Sequence, residues 1–359
     1  MFQKQRVEVA RKVIYGSDAT PRLPFACESY GLDTLLLVSG SSSTAQIVKK
    51  NILPLMINQT CETVAIRNGN LVENIEILKE TVNQLSPDAI VAVGGGKVMD
   101  IVKVVSAITM VPWISFPTSA SHDGFSSPYI NYILREMLKE ENFEIPVLRP
   151  PIIIIGDTTL ISKAPKQHII SGVGDLIAKF TAVKDWELAH RLRGEHFDEY
   201  AATFGLLSAR VVEEGYPIIA QRKEPGVRLI VKALGNSGVA MSIAGNSRPG
   251  SGSEHLISHY LDFLAMKNES IINSLHGYQV GVATIFCSYL QGGDWKLLQH
   301  ILKQVDHPIT LEELKIDKET FLNAIINAHT IRPDRYTILG NGLSKFAALK
   351  AMEETGIIG

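Results

Sequence analysis

Residues 89–100, AIVAVGGGKVMD, decide the fold class of this chain of 359 residues. The apolar run AIVAV predicts a buried β-strand, and from Val98 onward apolar residues recur at the i, i+3, i+4 and i+7 spacing of one helix face. The three glycines at 94–96 therefore form a turn between a strand and a helix. Glycine lets backbone amides approach an anion closely, and a helix start adds N–H groups and a positive dipole end. The stretch predicts a phosphate-binding turn.

The spacing of these glycines matches neither G-x-G-x-x-G nor the P-loop pattern, so neither named motif applies. Asp100 lies one turn into the predicted helix, where its carboxylate could accept a ribose hydroxyl. The alternative is a tight turn that needs glycine for backbone reasons alone.

The first 155 residues repeat the order of strand, turn and helix. A helix is predicted over about 71–85, and strands over residues 34–39, 63–66, 89–93, 113–116 and 150–155. Strands that alternate with helices favour a parallel sheet buried on both faces. We therefore predict an α/β domain over residues 1–156.

Helical stretches dominate the remainder, residues 157–359, which we predict to be an all-helical domain. Residues 174–191 and 253–265 lack proline and carry helix formers. The glycine-rich residues 235–252 predict a loop that wraps a site, or a region of close backbone approach.

A second polar turn, residues 118–124 (TSASHDG), follows the strand that ends before Pro117. In a parallel sheet both turns lie beyond the carboxyl ends of their strands and can face one crevice. The hydroxyls suit a nicotinamide amide or a phosphate, and His122 and Asp123 could touch a polar substrate; the alternative is a Ser/Thr-rich helix cap. Residues 39–44 (SGSSST) contain no acid that would repel the 2′-phosphate of NADP, so they allow NADP as well as NAD.

Four residues of the second half form a candidate metal site. Asp175 follows a glycine-rich approach, His255 and His259 are spaced i, i+4 on one helix face, and His276 begins another helical stretch. One carboxylate and two imidazoles with an open position are typical of catalytic Zn²⁺ or Fe²⁺ sites. Each histidine by itself is more often an ordinary one.

For several other charged residues we expect no role in the site. Arg248 could meet a substrate phosphate, but a loop arginine is usually solvated. Arg332 and Arg335 are expected to form a salt-bridge cluster at a helix end. Asp185 and Glu195 are expected on solvated helix faces.

The overall composition excludes several classes of protein. Lys plus Arg is 35 and Asp plus Glu is 37, a net charge of −2, which gives no global field for nucleic acid or an anionic membrane. The three cysteines are far apart, which argues against a disulfide scaffold. No targeting segment or membrane span is recognised, so we expect a cytoplasmic protein.

Several of these stretches together resemble one family, the sn-glycerol-1-phosphate dehydrogenases of the iron-containing alcohol dehydrogenase and glycerol dehydrogenase superfamily. The resemblance is carried by VGGGKVMD (93–100), PTSASHDGFSSP (117–128), SGVGDLIAKFTAVKDWELAHR (171–191), SRPGSGSEHLISH (247–259), HGYQVGV (276–282) and IRPDRYTILG (331–340). It implies a Rossmann-like dinucleotide-binding domain followed by a helical metal- and substrate-binding domain, a fold shared with dehydroquinate synthase.

The resemblance also implies an activity: reduction of dihydroxyacetone phosphate with NADH or NADPH to sn-glycerol-1-phosphate, the backbone precursor of archaeal ether lipids, by a zinc-dependent homo-oligomer. It implies Asp175, His255 and His276 as zinc ligands, and Asp123, Asp175 and His259 as catalytic residues that contact the substrate. The implied dinucleotide contacts are Gly94, Gly95, Gly96, Lys97, Val98, Met99, Asp100, Thr118, Ser119, Ala120, Ser121 and Ser127.

Three rival functions use the same elements. The first is a glycerol dehydrogenase acting on the unphosphorylated substrate, the second a dehydroquinate-synthase-like lyase, and the third a dinucleotide sensor without catalysis. The lyase pattern G-D-x-x-G-F after the glycines is missing, and a sensor has no use for an open metal site.

Overall fold

The computed structural model describes residues 7–40, 42–67, 69–268, 270–271 and 274–359. It divides into two compact units, Met1–Ala164 and Pro165–Gly359, called here the first and the second unit. The boundary expected from the sequence, after residue 156, falls inside a strand, Ile153–Asp157, that stays with the first unit.

The first unit is built on a six-stranded parallel sheet with the order β1-β6-β5-β4-β2-β3. Its strands are β1 (Lys12–Gly16), β2 (Thr34–Gly40), β3 (Thr60–Ile66), β4 (Ala89–Gly94), β5 (Trp113–Pro117) and β6 (Ile153–Asp157). Its helices are α1 (Arg22–Glu28), α2 (Ser43–Ile47), α3 (Leu71–Leu85), α4 (Gly96–Thr109), α5 (Tyr132–Glu140) and α6 (Thr158–Ile161).

The centre of the sheet is fully buried, as the continuous apolar runs predict. Every residue of β4 and β5 is buried, and β4 lies between β2 and β5. Because all pairings are parallel, the register that sets Gly94 opposite Pro117 brings the turns after β4 and β5 to the same edge.

Two parts of the first unit differ from the sequence prediction. β1 and α1 were not predicted, and the last strand begins at Ile153 rather than residue 150. Pro150 and Pro151 lack the N–H that a strand in a sheet would use, which explains the late start.

The second unit contains ten α-helices, one short 3-10 helix (Ala328–Thr330) and no strand within its described residues. The α-helices are α7 (Lys166–Ile177), α8 (Lys179–Arg193), α9 (Glu199–Ile219), α10 (Glu224–Ala244), α11 (Ser253–Lys267), α12 (His276–Leu290), α13 (Trp295–Gln304), α14 (Leu311–Leu314), α15 (Lys318–Asn327) and α16 (Lys345–Glu354).

The predicted loop over residues 235–252 is wrong in its first part. Gly235 and Gly238 are buried inside α10, and the helix ends only at Gly245, whose φ of 66° is the left-handed conformation that glycine adopts freely. The remaining residues, 246–252, do form the connection to α11.

α7 and α12 touch through their backbones. A Cβ added to Gly174 would lie 2.0 Å from the carbonyl oxygen of Gly277, and one added to Gly277 would lie 1.9 Å from that of Ser171. Only glycine allows this approach, and the residues next to these glycines, Asp175 and His276, are brought together by it.

α10 is the one helix, among the residues described, that is long and apolar enough to cross a membrane by length and composition. The buried share of that stretch is 61%, and the helix packs against α9. Core helices of globular proteins pass the same test.

Candidate active site

The glycine turn of the first unit has the geometry of an anion site. β4 ends at Gly94 and α4 begins at Gly96, with no side-chain cap on the first turn of the helix. The N–H of Thr118 donates to the carbonyl oxygen of Gly94 at 3.0 Å, and a Cβ on Gly95 would lie 3.3 Å from Ser119 Oγ. The two predicted turns therefore contact each other, and backbone N–H groups at the start of α4 are available to an anion.

His122 gives a second reason for glycine in this turn. A Cβ on Gly96 would lie 2.4 Å from His122 Nε2. The other ring nitrogen, Nδ1, accepts a hydrogen bond from the N–H of Gly124 at 3.0 Å. The imidazole is thus held against the turn, and its Nδ1 is the unprotonated nitrogen in the neutral form.

Asp100 is buried and engaged within the protein. One carboxylate oxygen accepts a hydrogen bond from the buried Lys103 at 3.2 Å, and the other accepts from the N–H of Asn131 at 3.0 Å. Lys103 also donates to the carbonyl oxygen of Tyr129 at 2.6 Å. The carboxylate therefore fixes the chain before α5.

The other dinucleotide residues predicted from the sequence differ in exposure. Lys97 is exposed, whereas the side chains of Val98 and Met99 are buried in the core, so only their backbone can meet a ligand. In the second turn, Thr118, Ser119 and Ser121 are half-buried and Ala120 is buried. Ser127 follows the short turn Asp123–Phe125 and is also buried.

Three candidate metal ligands meet in the second unit. Asp175 on α7, His255 on α11 and His276 at the start of α12 offer ligand atoms that all lie within 4.8 Å of one another. His255 Nε2 is 3.4 Å from Asp175 Oδ1, and both side chains are buried. Two nitrogens and one carboxylate oxygen suit Zn²⁺ or Fe²⁺ and leave coordination positions for another ligand.

A buried carboxylate fixes the tautomer of His255. Glu254 Oε1 lies 2.8 Å from His255 Nδ1, and a carboxylate oxygen accepts hydrogen bonds, so Nδ1 carries the proton. The same oxygen accepts from the N–H of Gly252 at 2.6 Å, and Oε2 accepts from the hydroxyl of Thr181 at 2.7 Å. In the neutral ring the lone pair of His255 is therefore on Nε2, which faces Asp175. Burial lowers the pKa of His255, but the carboxylates of Asp175 and Glu254 outweigh it and raise that pKa above its usual value.

The hydroxyl of Ser258 fixes the tautomer of His276. Ser258 donates its one hydroxyl hydrogen to Gln279 Oε1 at 2.7 Å, and its oxygen lies 3.1 Å from His276 Nδ1. Because that hydrogen is used, His276 Nδ1 donates to the serine oxygen. The lone pair of Nε2 is then free to bind a metal.

The charges around Asp175 favour its ionised form. Burial raises the pKa of Asp175, but Lys179 and His255 outweigh it and hold the pKa well below its usual range. Lys179 is fully buried one helical turn later, with Nζ 3.2 Å from Asp175 Oδ1 and 3.3 Å from the carbonyl oxygen of Gly250. The ligand carboxylate is charged, as metal binding requires.

His259 lies beside this cluster without belonging to it. Its ring centroid is 6.0 Å from that of His276 and 6.1 Å from that of His255. Burial and the guanidinium of Arg332 lower the pKa of His259 well below its usual value, so the ring is neutral at pH 7. A neutral imidazole beside an open metal site can donate or accept a hydrogen bond from a ligand there.

Arg248 and Asp185 are not solvated, contrary to expectation. Arg248 is only 2% exposed and forms a two-pronged ion pair with Glu195, a half-buried residue. Asp185 is fully buried and accepts the N–H of Ser253 at 2.7 Å, and burial followed by the charge of Glu254 raises the pKa of Asp185 to about 6.

Within the described part of the chain, Arg335 takes part in no ion pair of the expected salt-bridge cluster. Its Nη2 donates to Ser247 Oγ at 2.9 Å, and its Nη1 donates to the carbonyl oxygen of Ser251. Burial, followed by the charges of Arg332 and Arg248, lowers the pKa of Arg335 to about 9.

Comparison with known proteins identifies the family. The chain is 40% identical over the full length of both chains to a glycerol-1-phosphate dehydrogenase (NAD(P)+) of Pyrobaculum arsenaticum, and 42% identical to one of Thermococcus sibiricus, covering 98% of each chain. The chain belongs to the glycerol-1-phosphate dehydrogenase family. It is therefore an oxidoreductase. Residues 14–165 also match the sequence profile of iron-containing alcohol dehydrogenases.

Solved structures show the same fold as this glycerol-1-phosphate dehydrogenase family member. A probable glycerol dehydrogenase from Sinorhizobium meliloti 1021 superposes with a TM-score of 0.77 at 19% identity, over 99% of this chain and 100% of the other. An iron-containing alcohol dehydrogenase from Corynebacterium glutamicum gives 0.71 at 15% identity, over 99% and 97%. The predicted fold, an α/β sheet domain followed by helices, is confirmed.

The structure places the remaining predicted site residues in separate units. Asp123 begins a short turn in the first unit, whereas Asp175 and His259 lie in the second. Sequence analysis missed Glu254, Lys179 and Ser258. The first precedes a ligand histidine directly and the second follows Asp175 by one turn, so both spacings offered a signal; Ser258 offered none.

Proposed function

We propose that this protein reduces dihydroxyacetone phosphate to sn-glycerol-1-phosphate with NADPH or NADH in a zinc-dependent reaction. The observation that carries the proposal is the group formed by buried Asp175 and His255 and half-buried His276. Hydrogen bonds place a proton on Nδ1 of both imidazoles, so that Nε2 is the nitrogen each neutral ring would offer to a metal. Relatives named for this activity match the chain along its whole length.

The cofactor would bind through the first unit. The uncapped start of α4 and the glycines of residues 94–96 would hold its phosphates, and the hydroxyls of Thr118, Ser119 and Ser121 would bind its polar groups. A reduced nicotinamide supplies the hydride for such a reaction. Ser127 would contact the cofactor from the buried end of that segment.

NADPH is the cofactor that we expect to be used at least as well as NADH. Residues 39–44 contain no acid, and the N–H of Gly40 donates to Thr44 Oγ1 at 2.8 Å; Ser41 lies outside the described residues. A 2′-phosphate would therefore meet no carboxylate there.

The metal ligands would be Asp175, His255 and His276. A Zn²⁺ held there would act as a Lewis acid toward a ketone oxygen. His259, neutral at pH 7, would hydrogen-bond the substrate beside the ligands, and Asp123 would bind a substrate hydroxyl. Contacts of this kind would orient the ketone and set which face accepts hydride.

Initial rates test the proposal. Zinc-loaded protein is assayed with NADPH and NADH against dihydroxyacetone phosphate and dihydroxyacetone, with a chelator-treated sample alongside. Fast, chelator-sensitive turnover of the phosphorylated ketone supports the proposal. Turnover of dihydroxyacetone alone contradicts it in favour of a glycerol dehydrogenase, and no turnover of either reopens the lyase.

His276→Ala tests the metal assignment. It should abolish zinc binding and turnover while NADPH affinity is kept, because the cofactor residues lie on other elements. Activity of this variant in metal-free buffer would refute the assignment. We also propose a homo-oligomer, which light scattering of the native protein measures.

A further inference from the structure

Two guanidinium groups of the second unit converge on one hydroxyl. Arg335 Nη2 lies 2.9 Å from Ser247 Oγ, and Arg332 Nη1 lies 3.4 Å from the same atom. Both arginines come from residues 331–340 after α15, and Ser247 comes from the loop before α11. Two positive groups are therefore held side by side.

Arg335 forms no ion pair with any residue that the structure describes. The hydrogen bonds of Arg335 go to Ser247 Oγ and the carbonyl oxygen of Ser251, which are both neutral. The neighbouring Arg248, by contrast, has its own carboxylate partner in Glu195. Burial and the two adjacent arginines lower the pKa of Arg335 to about 9, which reflects the cost of holding these cations together. An anion bound between them would remove that cost.

The pair lies next to the candidate metal ligands. Residues 247–251 lie between the arginine pair and the candidate metal ligands. Ser247 Oγ and the carbonyl oxygen of Ser251 accept hydrogen bonds from Arg335, and the carbonyl oxygen of Gly250 accepts one from Lys179, which pairs with Asp175. Arg332 is also close enough to His259 to be the largest charged influence that lowers its pKa.

We propose that Arg332 and Arg335, oriented by Ser247, bind the phosphate group of the substrate and select the phosphorylated ketone over the free one. In dihydroxyacetone phosphate one carbon separates the carbonyl from the phosphate ester, so a ketone at the metal ligands must place its phosphate nearby. Planar guanidinium groups bind phosphate oxygens in pairs with charge-assisted hydrogen bonds. Arg248 is excluded as a phosphate-binding residue because its guanidinium is already paired with the carboxylate of Glu195.

The inference rests on the proposed function, and kinetics of Arg332→Gln, Arg335→Gln and Arg332→Lys test it. The matched control is Arg228→Gln, which removes an exposed arginine of α10 that pairs with Glu224. Each glutamine variant should raise KM for dihydroxyacetone phosphate about 10- to 100-fold, the value of a hydrogen bond to a charged group, and should lower kcat/KM for dihydroxyacetone phosphate more than kcat/KM for dihydroxyacetone. Arg332→Lys should recover part of the loss.

The inference is supported if Arg332→Gln loses the preference for dihydroxyacetone phosphate over dihydroxyacetone. This result is sufficient by itself if Arg335→Gln fails to fold. If the ratio of kcat/KM for the two ketones is the same in Arg332→Gln as in the wild type, the inference is overturned. The proposed function would still stand in that case, provided that the wild type reduces dihydroxyacetone phosphate. If the wild type does not reduce dihydroxyacetone phosphate, titration with inorganic phosphate decides. Weaker binding by Arg332→Gln than by Arg228→Gln supports the anion site, and equal binding overturns it.

Discussion

Replacing Glu254 with glutamine changes the charge behind a candidate metal ligand and almost nothing else. The N–H of Gly252 and Nδ1 of His255 both donate to Oε1, so the carbonyl oxygen of a glutamine can accept both. Thr181 can turn its hydroxyl hydrogen to the carbonyl oxygen of Ala178, 2.9 Å away, and accept the new amide. The geometry is therefore retained, while His255 loses a charged acceptor.

The expected cost follows from that single change. A hydrogen bond to a charged acceptor contributes roughly 1.4 kcal/mol more than one to a neutral acceptor, which corresponds to about a tenfold weaker zinc affinity. The same size of effect is typical of residues that orient metal-bound histidines. Glu254→Ala should cost more, since it leaves buried donors without acceptors.

Competition with a chromophoric chelator measures the zinc dissociation constant of each variant. Glu187→Gln is the matched control, because this half-buried glutamate of α8 pairs with the exposed Arg191. An affinity of Glu254→Gln equal to that of the control would refute the claim that Glu254 orients His255 for a metal.

Three further predictions concern packing and pH. Gly174→Ala should destabilise the second unit by about 3 kcal/mol or more, because its Cβ would lie 2.0 Å from the carbonyl oxygen of Gly277; an unchanged urea midpoint would contradict this. Gly96→Ala should weaken NADPH binding about tenfold by pushing the ring of His122, 2.4 Å from the new Cβ, as fluorescence titration would show; unaltered affinity would argue against this turn as the cofactor site. Burial raises the pKa of Asp262 to about 7, so the folded state keeps a proton that the unfolded state loses near about pH 4. The stability of the wild type relative to Asp262→Asn should then fall by up to about 4 kcal/mol as pH rises from 4 to 7, and parallel thermal-unfolding curves at all pH values would disprove it.

The sheet was predictable because its signals are local. Helix α3 lies over residues 71–85 as its periodicity predicts, and β4 with the glycine turn follows directly from AIVAVGGG. β1 was missed because the sequence around Lys12–Gly16 interleaves charge with apolar residues and pairs only with β6, far along the chain. Non-local pairing leaves no periodic trace in a short edge strand.

The convergence of Asp175, His255 and His276 was predictable from the sequence, whereas the groups that support these three side chains were not. Helical spacing suggested His255 with His259, whereas in the structure His276 completes the group and His259 stands beside it. That exchange depends on the glycine contact between α7 and α12, which no single stretch encodes. Buried charges such as Asp185 and Arg248 were misjudged for the same reason, since only tertiary contacts supply their partners.

The position of the candidate ligands on three helices would link the metal supply to the stability of the fold. A metal held by α7, α11 and α12 would bind only the folded second unit, and thermodynamic linkage would then stabilise that unit by about 4 kcal/mol at a free metal concentration a thousandfold above the dissociation constant. A chelator would then lower the melting temperature as well as the rate. Loss of activity after chelation at high temperature would thus combine a missing Lewis acid with unfolding, and re-addition of zinc would restore only the molecules that had stayed folded.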